Sequence, residues 1–193
     1  IMFVPIMGYI VYSKEFYTLW QKSLSPGEIK MVTILSTITV IQAFFNATTG
    51  TMAQLSLVTN KLKLPVFVSF GCGLLNVFVI FVLLKVTNLG VYAVVLSSTV
   101  IMVVRYVFFN SAYAAYVLNK PVTEFIGTAV SVWLCLPVLL MLMEVVKHFI
   151  PVDSWVSLVA SAAVSALLGY LLMMLVYGRD KIRKIFRKVR GKE

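Results

Sequence analysis

Charged residues are scarce in this chain, and five long stretches contain none at all. Only 12% of the 193 residues are Asp, Glu, Lys or Arg, whereas a soluble domain carries about 25%. A helix that crosses a bilayer needs roughly 20 apolar residues, while a barrel strand needs only about 10 alternating ones. The uncharged stretches therefore predict an all-α integral membrane protein. They are residues 31–60, 64–84, 86–104, 125–143 and 154–178.

The residues of most catalytic and metal sites are also missing. His148 is the only histidine, and the two cysteines, Cys72 and Cys135, lie in apolar runs without a partner at redox or metal spacing. No Walker loop, GxSxG, HExxH or Cys–Cys pair is present. We therefore expect a protein that is not an enzyme and that uses no cofactor or metal.

The positions of the charges predict about six transmembrane helices. They would form one transmembrane lobe over residues 1–178, followed by a basic tail at 179–193. The chain starts at Ile1, inside an apolar run and without a signal peptide. We therefore expect it to be the C-terminal part of a larger protein, and we expect Pro137 to kink its helix. The predicted spans are 1–12, 31–58, 65–85, 90–117, 125–147 and 154–177.

Lysine and arginine in the gaps indicate an orientation. If the chain starts at the cytoplasmic side, inside segments hold eleven Lys or Arg residues and outside segments hold five, as the positive-inside rule requires. The tail carries a net charge of +6 and would lie in the cytoplasm. Such a tail is typical of attraction to anionic membrane lipid rather than to nucleic acid.

One uncharged run is dense in hydroxyls and amides. At about 100° per residue, Thr39, Gln42, Asn46 and Thr49 fall on one helical face. Hydrocarbon cannot satisfy these groups, and each unsatisfied one costs several kcal/mol. The face either lines a hydrated cavity for hydroxyl-rich cargo or joins helices by hydrogen bonds, and the sequence leaves both hypotheses open.

Arg105 is the only cation well inside a predicted span, and such a residue is a functional hypothesis by default. Counting about 20 residues from Gly90 puts the inner boundary near Asn110, so that Arg105 lies only about 7 Å deep. It either snorkels to the cytoplasmic surface or faces the cavity and pairs with a substrate phosphate, which suits its fork of donors.

Two further residues lie within predicted spans. Asn76 is an amide at membrane depth, which forms either a packing hydrogen bond or a contact to a ligand. Glu144 lies three residues before Lys147, and residues at that spacing are neighbours on a helix. We therefore expect Glu144 and Lys147 to form a local ion pair.

Several short motifs resemble one family in their order and spacing. The stretch Phe16-Tyr17-Thr18-Leu19-Trp20 resembles the F-x-x-L-W of Wzx-type polysaccharide-unit flippases, members of the multidrug/oligosaccharidyl-lipid/polysaccharide exporter superfamily. Asn60-Lys61-Leu62-Lys63-Leu64-Pro65 is similar to their G-K-x-K-x-P turn, and Gly71, Leu75-Asn76, Leu84 and Gly90 follow in order. The resemblance covers the C-terminal half of such proteins.

The resemblance implies one lobe of a two-lobe transporter in the bacterial plasma membrane. It would flip undecaprenyl-pyrophosphate-linked oligosaccharide units by alternating access, for surface polysaccharide or lipopolysaccharide (O-antigen) synthesis. A polymerase or glycosyltransferases would be neighbours. The candidate cavity residues are Thr39, Gln42, Asn46, Thr49, Asn76 and Arg105.

Two alternatives stay open. The first is a multidrug or small-metabolite antiporter of the same superfamily, which a buried cation-binding carboxylate would favour; none is visible in these spans. The second is a non-transporting membrane subunit of a polysaccharide assembly system.

Overall fold

A computed structural model describes residues 2–177, apart from the side chains of Thr128, Ser131, Val132 and Tyr177. Every regular element in this part of the chain is helical, and the expected all-α membrane fold is confirmed. A π-helical turn, Arg105–Phe109, joins α4 to α5. The α-helices are α1 (Phe3–Trp20), α2 (Pro26–Val58), α3 (Lys63–Val86), α4 (Val91–Val104), α5 (Asn110–Leu118), α6 (Val122–Trp133), α7 (Leu136–Phe149) and α8 (Trp155–Tyr177).

Four helices in the described part are long and apolar enough to cross a membrane. Their apolar character comes from the uncharged runs found in the sequence. The four helices overlap the predicted spans 31–58, 65–85, 90–117 and 154–177. Because α4, the π turn and α5 are continuous, they form a single helix of 28 residues. The four helices are Pro26–Val58, Lys63–Val86, Val91–Leu118 and Trp155–Val176.

The other two predicted spans differ from the observed helices. The first, 1–12, overlaps α1 from Phe3 onward, and α1 continues through Lys14 and Glu15 to Trp20. The second, 125–147, is divided between α6 and α7, and the break at Leu134–Cys135 lies just before Pro137. Proline lacks an N–H, and in the first turn of α7 it removes no intrahelical hydrogen bond. Pro137 is therefore accommodated by a new helix start instead of a kink.

The start of α2 is fixed by a capping box that the prediction missed. Ser25 Oγ accepts a hydrogen bond from the Glu28 N–H at 3.4 Å, and Glu28 Oε2 accepts one from the Ser25 N–H at 2.8 Å. Pro26 occupies the first turn. These contacts satisfy N–H groups that have no partner within the helix. The helix therefore starts at Pro26, before the predicted residue 31.

The described helices pack as two compact units. The first unit contains α1, α7 and α8, within Ile1–Lys22 and Leu136–Glu193; the second contains α2 to α6, within Ser23–Cys135. In the second unit, α2 packs against α4 and α5, α3 packs against α4, and α6 packs against α5. The prediction that residues 1–178 act as one lobe stays a prediction, and the basic tail 179–193 lies outside the described residues.

Small residues on α8 bring the helices of the first unit together. Ser161, Ser165 and Gly169 are buried and recur every four residues, so they share one face. The Tyr12 hydroxyl of α1 lies 2.7 Å from the Oγ atoms of both Ser161 and Ser165. In membrane proteins, small residues of this kind allow close helix approach, and hydroxyl groups add hydrogen bonds across the interface.

We expect Gly169→Val to destabilise the first unit. A Cβ at Gly169 would lie 3.1 and 3.3 Å from the methyl groups of Val4 and 3.4 Å from the terminal methyl of Met143. Overpacking of this kind costs about 1–3 kcal/mol. The free energy of unfolding in mixed micelles measures the loss. Gly73→Val is the matched control, because a Cβ there meets nothing within 4 Å, and an equal loss in both variants would contradict the packing argument.

Candidate functional site

The polar face of α2 divides into a buried part and an open part. Thr49 is completely buried, whereas Thr39 and Asn46 are exposed and Gln42 is half-buried. The Thr39 hydroxyl donates to the Leu35 carbonyl of its own helix at 3.0 Å. Within the described residues, the amides of Gln42 and Asn46 have no side-chain hydrogen bond. On this face of α2, the amides of Gln42 and Asn46 are therefore left to bind something outside the described structure.

Thr49 belongs to the helix-packing interface. Its Oγ1 donates to the Phe45 carbonyl at 3.0 Å and accepts a hydrogen bond from Asn110 Nδ2 at 3.4 Å. Asn110, the first residue of α5, is itself buried. The contact joins α2 to α5, so the lower end of the polar face holds two helices together and does not line a cavity.

Asn76 also serves packing. Its Oδ1 accepts a hydrogen bond from Ser97 Oγ at 2.8 Å, and its Nδ2 donates to Ser98 Oγ at 3.0 Å. These bonds join α3 to α4 and use both ends of the amide. Of the two roles left open by the sequence, the geometry favours the packing hydrogen bond for Asn76.

Arg105 lies near the middle of its helix. The 14 residues of α4 come before it, and the π turn and the nine residues of α5 follow. The helix thus continues well past Asn110, where the sequence analysis placed the membrane boundary. Tyr113 donates through its hydroxyl to the Lys61 carbonyl at 2.6 Å, and it lies about 12 Å along the axis from Arg105. Arg105 therefore lies more than two helical turns from the contact that Tyr113 makes just beyond the end of α2.

The guanidinium of Arg105 has few partners. Nη1 lies 4.0 Å from the sulfur of Met102, and Cζ lies 5.9 Å from the centre of the Tyr106 ring. Nε is buried without a hydrogen-bond partner, and no carboxylate of the described residues pairs with the side chain. A half-buried cation without a counter-charge is costly at membrane depth, so the site favours an anion.

Arg105 and the open amides lie at similar depth in the second unit. Thr49 bonds Asn110, and Arg105 comes about 7.5 Å before Asn110 along the helix axis. Gln42 comes two helical turns before Thr49 on the same face of α2, and the two helices run in parallel. Counted along the helix axes, Gln42, Asn46 and Arg105 therefore lie at about one level, whereas Thr49 and Asn76 make packing hydrogen bonds.

A π-helical turn at Arg105 is a feature that the sequence did not indicate. The Asn110 N–H bonds the Arg105 carbonyl, five residues earlier. Single π turns within α-helices are frequent at functional sites. No proline, glycine or charge pattern marks this one in the sequence, so pattern reasoning had no signal for it.

The expected ion pair between Glu144 and Lys147 is wrong. Lys147 Nζ lies 2.9 Å from Glu15 Oε1 of α1, and it also donates to the Val11 carbonyl at 2.8 Å. Glu144 is exposed. Lys147 lies on the side of α7 that packs against α1, so its side chain reaches Glu15 across the helix interface. Sequence reasoning missed this carboxylate because it ended the first span at residue 12.

Comparisons of the chain with protein-family models, with curated proteins and with solved structures found no match. The family resemblance of the sequence motifs therefore stays a prediction.

We expect a double-mutant cycle of Asn76→Ala and Ser97→Ala to give a coupling energy of about 0.6 kcal/mol and at most about 1.7 kcal/mol, the range for hydrogen bonds between membrane helices. The 2.8 Å bond between them is the reason. Unfolding free energies of the single and double variants in bilayer-mimicking micelles measure it. Strict additivity would contradict the packing role and return Asn76 to the candidate ligand contacts.

Proposed function

We propose that this protein flips a lipid-linked oligosaccharide across the bacterial plasma membrane by alternating access, as part of surface polysaccharide or lipopolysaccharide synthesis. The observation that supports it most is the unpaired Arg105 at the level of the open amides of Gln42 and Asn46. A cation with amides at the same level offers complementary donors to a pyrophosphate and to sugar hydroxyls.

The energetics support an anionic substrate. An Arg deep in a span costs several kcal/mol unless water or a counter-charge reaches it. Among the described residues neither ion pair involves Arg105: one joins Lys120 to Glu124 and the other Lys147 to Glu15. A phosphate group in the translocation path would supply the missing charge during transport and leave afterwards, which a permanent carboxylate could not do.

The orientation is part of the proposal. Lys61 and Lys120 follow the ends of α2 and α5, and the Lys61 ammonium lies 5.5 Å from the centre of the Tyr116 ring. The positive-inside rule puts this end, and the C-terminal tail, in the cytoplasm. A lipid-linked substrate made in the cytoplasm would then meet lysines first and Arg105 deeper in the membrane.

The structure places one carboxylate, that of Glu15, within a helix where the sequence analysis had found none. It does not favour the antiporter alternative. Glu15 lies in α1 of the first unit, and one of its oxygens is occupied by Lys147 at 2.9 Å. The Lys147 ammonium balances the charge of this carboxylate, which lowers its affinity for a transported cation, although its Oε2 is buried without a hydrogen-bond partner.

Cysteine accessibility tests the open part of the polar face. In a background without Cys72 and Cys135, we expect Gln42→Cys and Asn46→Cys to react with a water-soluble maleimide. Thr49→Cys should stay inert, because Thr49 is fully buried. Labelling yields in intact cells and in inverted vesicles give the measurement.

The control for this test separates water from lipid. Val77 on α3 is 67% exposed, and its apolar surroundings predict contact with hydrocarbon, so Val77→Cys should also stay inert. If Gln42→Cys and Asn46→Cys react no better than Val77→Cys on either side of the membrane, the face does not line a hydrated path and the flippase proposal loses its main support.

Substitution of Arg105 tests the anion site. In a deletion strain complemented with the full-length protein, Arg105→Ala should lower surface polysaccharide about 10- to 100-fold, since hydrogen bonds to a charged group contribute about 1.5–3 kcal/mol. Arg105→Lys, which keeps the charge without the fork of donors, should fall between Arg105→Ala and the unchanged protein.

The matched control for Arg105 is Lys85→Ala, which removes an exposed cation in the last turn of α3. Its polysaccharide output should equal that of the unchanged protein at equal expression. Full output from both Arg105 variants would refute the role of the guanidinium in transport.

A further inference from the structure

The first unit contains an open apolar groove of about 390 Å³. One wall is a single face of α1, and the other is α8. Pro5, Gly8, Tyr9 and Phe16 line it from α1, and Leu158 and Ala162 line it from α8. The groove exists because small side chains face each other: a Cβ placed on Gly8 would meet no heavy atom within 4 Å.

The polar groups along the groove are already satisfied within the protein. The Tyr9 hydroxyl lies 2.7 Å from that of Tyr17, and Ser13 Oγ donates to the Ile10 carbonyl at 3.2 Å. Tyr12 directs its hydroxyl to two serines of α8 at 2.7 Å. The groove therefore presents carbon atoms to any ligand and offers little to water, because apolar cavities stay dry.

The length of the groove matches one leaflet of a bilayer. The α1 residues that line it run from Val4 to Phe16, which is about 18 Å along a helix, whereas half of the hydrocarbon core is about 15 Å. Phe16 lies at the end where aromatic rings cluster: its ring centre is 5.8 Å from that of Trp155 and 5.5 Å from that of Trp20. Such rings mark the membrane interface.

A polar pocket adjoins the interfacial end. It has a volume of about 270 Å³ and is lined by Lys14, Glu15, Thr18 and Asp153, among others. With Lys147 bound to Glu15, the charges around it balance. An apolar groove and a polar pocket whose charges sum to zero thus follow one another along α1. Together they suit an amphipathic molecule.

We propose that this groove binds one acyl chain of a membrane phospholipid, whose head group lies at the Phe16 end. At about 30 Å³ for each water-sized group, 390 Å³ holds on the order of a dozen methylene groups, which suits one acyl chain and only a fraction of a long polyprenyl chain. This site is separate from the candidate transport residues, all of which lie in the second unit, and it does not depend on the proposed cargo.

Photo-crosslinking of the full-length protein in phosphatidylcholine vesicles tests the site. The probe is a phospholipid with a diazirine on its acyl chain, present as a small fraction of the lipid. We expect crosslinks on α1 and α8 peptides that saturate at a lower probe fraction than those on the exposed face of α3. Equal dependence on probe fraction at the two places would overturn the proposal, even without any variant.

Filling the groove gives the second readout. Gly8→Leu should reduce crosslinking on α1 and α8 about tenfold, because its side chain takes the place of several methylene groups of the lipid. Gly71→Leu on α3 is the matched control, since a Cβ there also meets nothing within 4 Å. Ala162→Leu fills the groove from the opposite wall, in case Gly8→Leu does not fold. Unchanged labelling in a folded groove variant would overturn the proposal.

The head group provides the last comparison. Because charges of both signs line the polar pocket, probes with phosphatidylethanolamine and phosphatidylglycerol head groups should label α1 and α8 equally. Labelling by only one of the two would show that the head group, not the chain, is what the site recognises, and would overturn the assignment to an acyl chain.

Discussion

Each polar group in these helices has to find its partner inside the protein or in water, because the hydrocarbon of a bilayer offers none. The helices meet this requirement in two ways. Hydroxyls such as Thr39 and Ser69 donate to carbonyls of their own helix four residues earlier, while amides reach across to a neighbouring helix. Asn76 bonds Ser97 and Ser98, and Asn110 bonds Thr49. Packing in the second unit is organised around these few bonds.

The same requirement identifies what is left for function. Among the polar groups of the described second unit that no packing bond uses are the half-buried guanidinium of Arg105 and the amides of Gln42 and Asn46. They lie at one level of adjacent helices. In the first unit, Lys147 is held by Glu15 and by a carbonyl of α1, whereas Lys14 is exposed and lines the polar pocket beside the groove. The two units differ in chemistry: the helices of the second unit hold polar groups that are open to a ligand, and the first unit has an apolar groove.

The sequence predicted the helical class and four helices well because charge exclusion acts on every residue of a span. The sequence predicted helix bounds less well where a single local contact sets them. The Ser25–Glu28 capping box moved the start of α2, and the α6–α7 break before Pro137 divided a span. The 100° periodicity correctly grouped Thr39, Gln42, Asn46 and Thr49 on a face, but it contains no information about which neighbour covers that face. Only the packing of α5 shows that Thr49 is buried. Lys147 pairs with Glu15 of α1 and not with Glu144, which is nearer in sequence, because the packing of α1 against α7 brings Glu15 within reach.

The π turn at Arg105–Phe109 has a consequence for how the two halves of one helix face their neighbours. An extra residue shifts the angular phase of everything after it by about 100°. Before the turn, Ser97 and Ser98 bond Asn76 on α3; after it, Asn110 bonds Thr49 of α2, and Tyr113 bonds the Lys61 carbonyl between α2 and α3. The polar side chains of the two halves thus bond different neighbours, although both α4 and α5 also pack against α2. Arg105 is the first residue of this turn, so rewinding the turn would rotate α5 relative to α4 and change the surroundings of the Arg105 side chain.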